Sequence, residues 1–357
     1  MPDVHRQDHH LLSRRALLRG AAGLGLAAAT GTLLPSCGRG GGQENEASGP
    51  DADGPLETTT IRLFSLPPSN CIAAQFMAEK FLREEGFTDV QYPPFNPKDA
   101  YARFGDGEMD FGVGYPAFLM RMIADGAPIV MLGGVHVGCW EVVATGDIKT
   151  MRDFKGKTVS IIGTNFTDGI FLAMTLKNVG LDLNTDVKVV NHPPSEYARL
   201  LSSGEVDGVV AIAPTSTDLR AKGIGHVVIK SAADPPWSNY YCCGPIVHRD
   251  WMEKHPVAAN RALRALLKGA DVVAKDPDGS ARFMVDKGYT NNFDYTCDVL
   301  KELPYDVWRN FDPVDSVRFY ALRLKEAGLL KSTPEEILKV GTEFRYFKQL
   351  QKELSIA

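Results

Sequence analysis

From residue 59 to residue 212, short apolar runs alternate with amphipathic stretches of about ten residues, and few architectures accept that rhythm. Residues 59–66, 110–113, 129–132, 158–162, 187–190 and 208–212 read as strands. Residues 73–85, 116–125, 168–178 and 195–203 read as helices. Ala74, Ala78, Phe81 and Leu82 share one face of the first, and Gly86 and Gly180 stop two of them. Strands separated by helices of this length predict an α/β fold with mainly parallel sheets.

One internal echo divides the chain. Gly107-Glu108-Met109-Asp110-Phe111-Gly112-Val113 returns as Gly204-Glu205-Val206-Asp207-Gly208-Val209-Val210. Each copy follows a helix and opens an apolar run. The glycine suits a left-handed helix end, the acidic pair belongs at a wet edge, and the apolar run enters a sheet. The echo predicts two lobes of related topology. After Lys254 the periodicity is helical, over 262–274, 316–327 and 334–354. Leu263, Leu266, Leu267, Ala270 and Val273 form a core face, and Thr333-Pro334 is a helix start with a cap and a first-turn proline.

The first 36 residues read as a signal peptide rather than as part of the fold. Arg14-Arg15 precede an uncharged Ala/Gly/Leu run that ends at Leu34-Pro35-Ser36-Cys37. The run is too short and glycine-rich for a stable membrane span. Paired arginines before such a run resemble a twin-arginine export signal, and the run's end resembles a lipoprotein processing box with Cys37 as the lipidated residue. Residues 37–56 contain no apolar cluster and read as a flexible tether of roughly 25 Å average span. With 39 basic against 44 acidic side chains the formal charge is -5. Removing residues 1–36 takes away four arginines and two aspartates and leaves about -7, which argues against nucleic acid as a partner. Six cysteines, unevenly spaced, do not form a disulfide framework.

Several motifs together carry a family resemblance. They are the helix at 78–85 with Gly86 and Val90, the 107–113 element, Asp153-Phe154-Lys155-Gly156-Lys157, Gly163-Thr164-Asn165, and the second echo at 204–207. Their order over residues 58–300 resembles the nitrate/sulfonate/taurine-type solute-binding proteins of ABC importers. Tyr241-Cys242-Cys243-Gly244-Pro245-Ile246-Val247 is similar to the cysteine-cluster region of the fungal thiamine-pyrimidine synthase, where the cluster is implicated in iron chemistry. That enzyme carries a pyridoxal-phosphate lysine and a histidine just after its first Gly-x-x-Asp strand. Here residues 111–118 hold neither, and a Schiff base needs the lysine amine.

The resemblance implies a two-lobed, type II periplasmic-binding-protein-like fold, each lobe a mainly parallel sheet flanked by helices, with extra C-terminal helices. Residues 57–146 plus 244–357 are expected as lobe 1 and 147–243 as lobe 2, with crossings near 143–149 and 238–245. Together with the N-terminal export and lipidation signals, it points to a monomeric, lipid-anchored extracytoplasmic (periplasmic) protein with no cofactor and no bond chemistry. Such a protein captures a small organic molecule between its lobes and delivers it to an ABC permease in the membrane. Two other readings are an iron-dependent, pyrimidine-synthase-like enzyme at Cys242-Cys243, and a ligand-sensing module for a membrane partner.

Ligands of open α/β sheets sit at the carboxyl ends of strands and at helix N-termini. That rule selects Ser69, Asn70 and Cys71 after the first strand, Tyr115 after the next, and His136 and Trp140 before the first crossing. In the second lobe it selects Asn165, Phe166, Thr167, Asp168, Pro214 and Thr215, and in the return crossing Trp237, Tyr241, Cys242 and Cys243. Each has a plainer use. Thr167 or Asp168 can cap a helix, Tyr115 and Trp140 can be core aromatics, and the cysteines can be small apolar fillers. No zinc-finger spacing joins Cys71, Cys139 and the vicinal pair, so no metal is expected. The aromatic content of these loops points to a flat heterocycle or a sulfonate-like organic ligand, because a bare oxyanion needs more donors and positive charge.

Overall fold

The structure, a computed structural model, describes residues 54–64, 70–93 and 100–354. The expected signal peptide, Cys37, most of the tether, Ser69 and the side chain of Asn70 lie outside the described residues. Ten strands are described: β1 (Thr60–Arg62), β2 (Asp89–Gln91), β3 (Phe111–Gly114), β4 (Ile129–Met131), β5 (Glu141–Ala144), β6 (Thr158–Ile161), β7 (Lys188–Asn191), β8 (Gly208–Ala211), β9 (His226–Lys230) and β10 (Gly244–His248). A parallel bridge between Leu63 and Phe111 joins two ladders into one sheet of order β2-β1-β3-β10-β4. The other sheet has the order β7-β6-β8-β5-β9.

The two orders are the same pattern. Taking β6 to β9 as the counterparts of β1 to β4, β10 occupies in the first sheet the place that β5 occupies in the second. In each sheet that one strand runs antiparallel to its neighbours, and it is the strand contributed by the chain as it arrives from the other sheet. The expected α/β class and two-lobed pattern are therefore present, with one reversed strand per sheet. Glu141 already pairs with Ala211 and Lys230, so the chain enters the five-stranded sheet ahead of residue 143.

The sequence echo has a structural cause. Gly107 and Gly204 both adopt the left-handed backbone, at φ +77° and +73°. Asp110 N–H donates to the Arg62 carbonyl while its carboxylate accepts the Arg62 N–H, both at 2.8 Å. Asp207 does the same with Thr158, again at 2.8 Å in both directions. Each aspartate thus fastens the third strand of its sheet to the first. The acidic residues were expected at a wet edge; Asp110 is instead buried, because its carboxylate is consumed by the Arg62 backbone and guanidinium.

Helix Ala73–Glu84 lies on helix Pro256–Lys275, whose expected core face (Leu263, Leu266, Leu267, Ala270, Val273) is buried. They approach so closely that a Cβ on Gly269 would stand 2.2 Å from the Ala74 carbonyl oxygen. The expected helix over 334–354 is two helices, Pro334–Gly341 and Arg345–Leu354. Thr342 between them is extended and bridges to Met131, which breaks the helical run. Helix Pro313–Glu326 packs against both Pro116–Ala124, which follows β3, and Thr167–Asn178, which follows β6. It therefore spans the two halves at the strand ends where a ligand cleft was expected. Among the described residues no helix is long and apolar enough to cross a membrane.

Candidate functional site

The two connections between the sheets, residues 131–141 and 230–244, pair with each other. Val135 N–H donates to the Cys243 carbonyl at 2.9 Å, and Cys242 N–H to the His136 carbonyl at 3.0 Å. Gly134 is obligatory here, since a Cβ on it would lie 2.0 Å from the Tyr241 ring. Tyr241 itself turns away from the space between the lobes. Its hydroxyl donates toward the carbonyls of Phe311 (2.9 Å) and Trp308 (3.1 Å), so it anchors the C-terminal helices.

This pairing gathers sulfur. Cys71, in the turn Asn70–Ile72, joins Cys139 and Cys243, and the three sulfurs lie within 4.8 Å of one another. Cys139 and Cys243 are 3.7 Å apart. Cys242, next to Cys243 in the return connection, is buried. All four are free thiols. His136 is fully buried beside them, its Nε2 2.8 Å from the Cys71 carbonyl and its Nδ1 2.9 Å from the Val137 carbonyl. Both ring nitrogens face acceptors, an arrangement that only the doubly protonated ring satisfies. Burial alone would lower its pKa, but the Cys243 thiol beside it and the carbonyl hold it up at about 9. Burial and the neighbouring thiols raise Cys139, whereas a hydrogen bond from Cys139 draws Cys243 below the ordinary thiol range. Among the described residues, the three sulfurs are a group with the donor chemistry and spacing to hold a metal ion.

Aromatic rings surround the cluster. Tyr115 lies 5.6 Å from Trp140 and 5.8 Å from Tyr320 between ring centres. Trp140 stacks on Phe171 at 5.7 Å, Phe171 meets Trp237 edge-on at 5.4 Å, and Trp237 meets Phe319 in the same way. Tyr115, Trp140 and Trp237 are all buried. The Tyr115 hydroxyl is buried without a hydrogen-bond partner, and burial pushes its pKa well up. Phe319 and Tyr320 come from helix Pro313–Glu326, so the C-terminal segment supplies rings to the interlobe region. What remains beside Cys71, Cys139, Trp140 and Glu141 is a cavity of about 20 Å³, room for one water-sized occupant. The interlobe cleft expected to hold a ligand is filled here by aromatic packing from the C-terminal helix.

A charged rim closes the cavity. Glu302, at the end of helix Phe293–Glu302, accepts two hydrogen bonds from Arg220 (2.7 and 3.0 Å) and pairs with Lys230 at 2.9 Å. Glu141 lies 3.4 Å from Arg220, and burial raises its carboxyl pKa. Pro214 and Thr215, half-buried, open the helix Thr215–Ala221 that carries Arg220.

The loop before helix Thr167–Asn178 lies elsewhere. Phe166 takes the cap position with no side-chain cap, so neither Thr167 nor Asp168 caps the helix. The buried Asp168 carboxylate instead accepts the N–H groups of Ile162 (2.5 Å) and Gly169 (2.9 Å), holding the turn shut. Asn165 is exposed, reached by Arg121 at 3.4 Å, and with Thr164 and Lys177 it lines a groove of about 140 Å³. The fold thus brings together Cys71, Tyr115, His136, Trp140, Trp237, Cys242 and Cys243, and leaves Asn165, Phe166 and Tyr241 outside that group. Tyr320, Phe319 and Phe171 join the site without any loop signal, because they sit on helix faces that read as ordinary core, and Glu302 joins it from a helix, Phe293–Glu302, that the sequence pattern does not mark.

Solved structures share this fold. The periplasmic nitrate-binding protein NrtA from Synechocystis PCC 6803 superimposes with a TM-score of 0.71 at 14% identity, over 85% of this chain and 90% of that one. The ligand-binding component of an ABC-type import system from Staphylococcus aureus, with zinc bound, gives 0.66 at 16% identity, over 82% and 99%. In sequence, a putative thiamine biosynthesis protein from Haemophilus influenzae is 33% identical over 121 residues, 33% of this chain. The chain spans about a third of that relative's length (36%). The NMT1/THI5-like family pattern matches residues 75–280, more than half of the chain, and the chain belongs to that family.

Proposed function

We propose that the chain is an extracytoplasmic solute-binding protein that captures a small organic molecule between its lobes and hands it to an ABC importer. The observation that carries this reading is the interlobe junction itself: two sheets of identical strand order, two paired connections, and Tyr115, Trp140 and Trp237 gathered where they meet. The likeness to binding components of import systems supports it. Rings at the junction favour a flat, stacking ligand, a heterocycle or an aryl or alkyl sulfonate, over a bare oxyanion. In this structure the rings pack on one another. A ligand enters when the lobes and helix Pro313–Glu326 part, and it then stabilises the closed form because both lobes touch it only there.

Export through the paired arginines and anchoring through a lipid on Cys37 complete the proposal, with residues 37–56 as the tether. Incorporation of labelled fatty acid, lost in Cys37→Ser, is the expected sign of the anchor. For the ligand, thermal-shift and calorimetric titration against pyrimidines, sulfonates and nitrate should find a binder near micromolar affinity, about -8 kcal/mol. Trp140→Ala and Tyr115→Ala should each weaken it at least about tenfold, since a stacked ring is worth about 0.5–1.5 kcal/mol beyond its buried area. Unchanged affinity in both variants would remove the junction as the binding site. An enzymatic role would need another electron sink than pyridoxal phosphate, because the 111–118 segment offers no lysine.

A further inference from the structure

The sulfur cluster has a geometry that apolar packing does not require. Cys139 is the described non-glycine residue with positive φ, at +115°. That conformation costs an L residue about 1–3 kcal/mol and persists where surroundings over-determine it. A glycine would relieve it, and Gly138 beside it already adopts φ +84°. The strained residue directs its sulfur toward those of Cys71 and Cys243, which come from two other segments. The 20 Å³ cavity adjoins Cys71 and Cys139, and the buried Tyr115 hydroxyl nearby has no partner.

We propose that Cys71, Cys139 and Cys243 bind one thiophilic metal ion, copper(I) or zinc. A metal–sulfur distance of about 2.3 Å places sulfurs roughly 3.8 Å apart in a tetrahedral site and roughly 4.0 Å apart in a trigonal one. The observed 3.7 Å between Cys139 and Cys243, inside a group spanning no more than 4.8 Å, matches that spacing. Thiolates with no carboxylate among them select copper(I) or zinc and reject magnesium, calcium and manganese. Each thiol that binds gives up its proton to solvent, and no electron is transferred. One ligand comes from the turn after β1 and the other two from the two sheet connections, so the ion ties both crossings to the first half. It acts as a pin on the hinge, independently of which solute the lobes take.

The test uses the full chain, purified under reducing conditions and stripped with a chelator. It is titrated with copper(I) against a chromophoric copper(I) chelator, and separately with zinc, with magnesium as the control. One ion per chain and a raised melting temperature are expected for copper(I), zinc or both, and neither for magnesium. Cys243→Ser should weaken binding more than about a hundredfold, beyond the 10–100-fold that loss of an outer-shell partner costs. Cys297→Ser, remote from the cluster, should bind as the parent does. Cys139→Gly removes the sulfur while relieving the positive φ. It should fold at least as stably as the parent without metal, and gain no stability with it. Retention of no ion by the parent, parent-like binding by Cys139→Gly, or a Cys139–Cys243 disulfide in protein isolated from cells would each overturn the proposal.

Discussion

Asp168 shows how one buried side chain sets a pH response. Burial pushes its carboxyl from 3.8 up to about 6, against the backbone N–H groups of Ile162 and Gly169 that pull it down. The folded chain therefore keeps a proton between about pH 4 and 6 that the unfolded chain has already released. Stability contributed this way is complete below 3.8 and is lost as pH rises through about 6. The upper bound, from 1.36 kcal/mol per unit over that shift, is about 3 kcal/mol. Asp168→Asn cannot titrate. Chemical denaturation of both proteins from pH 4 to 6.5 should give a flatter stability profile for the variant, at the constant cost of one lost acceptor. Parallel profiles would show that the hydrogen bonds outweigh burial and that the carboxylate stays ionised.

At the scale of elements, the paired aspartates of the echo make a matched experiment. Asp207→Asn leaves the Thr158 N–H with a weaker acceptor at a half-buried strand end, and should cost about 1–2 kcal/mol in urea unfolding. Asp110→Asn weakens the same backbone acceptor and also removes the charge that pairs with Arg62, inside the core, so its cost should be clearly larger. Equal costs would contradict the claim that burial distinguishes two otherwise equivalent joints. The echo was legible because strand-to-strand fastening by an aspartate is local and repeats in sequence. So were most strands and the helices at 73–84, 116–124 and 167–178, where apolar period and glycine stops agree. β9 was not legible: all five of its residues are half-buried, and an edge strand without a buried face has no clean alternation. The break at Thr342 was not legible either, since a bridge to Met131 is a long-range contact that no local pattern encodes. Loops at strand ends could be nominated by rule, and that rule nominated His136, Trp140 and the vicinal cysteines, which the fold places at the junction of the two connections. The rings that meet them from helix Pro313–Glu326 arrive by tertiary packing alone.

For the whole molecule, the question is what keeps the halves together. Helix Pro313–Glu326 joins them through rings, and Glu302 joins them through charge. Glu302 stands on the C-terminal extension, while Arg220 and Lys230 belong to the helix and strand that follow β8 in the second sheet. Although burial opposes its ionisation, the hydrogen bonds from Arg220 and Lys230 hold its carboxyl below the ordinary range. The sign follows: the latch contributes fully above the ordinary glutamate pKa and is lost only as pH falls through the lower folded value. Glu302→Gln keeps the shape and removes the charge, leaving Arg220 with Glu141 and Lys230 without this carboxylate. If the latch biases the closed form, the variant should show a larger radius of gyration at neutral pH and faster amide exchange in residues 313–326. It should also bind solute more weakly, since part of the binding free energy must then close the lobes. Below the pH at which Glu302 protonates, parent and variant should converge. Aromatic packing is indifferent to that protonation. A variant that stays as compact as the parent at every pH would therefore assign closure to the rings of helix Pro313–Glu326, with Glu302 trimming only the rim.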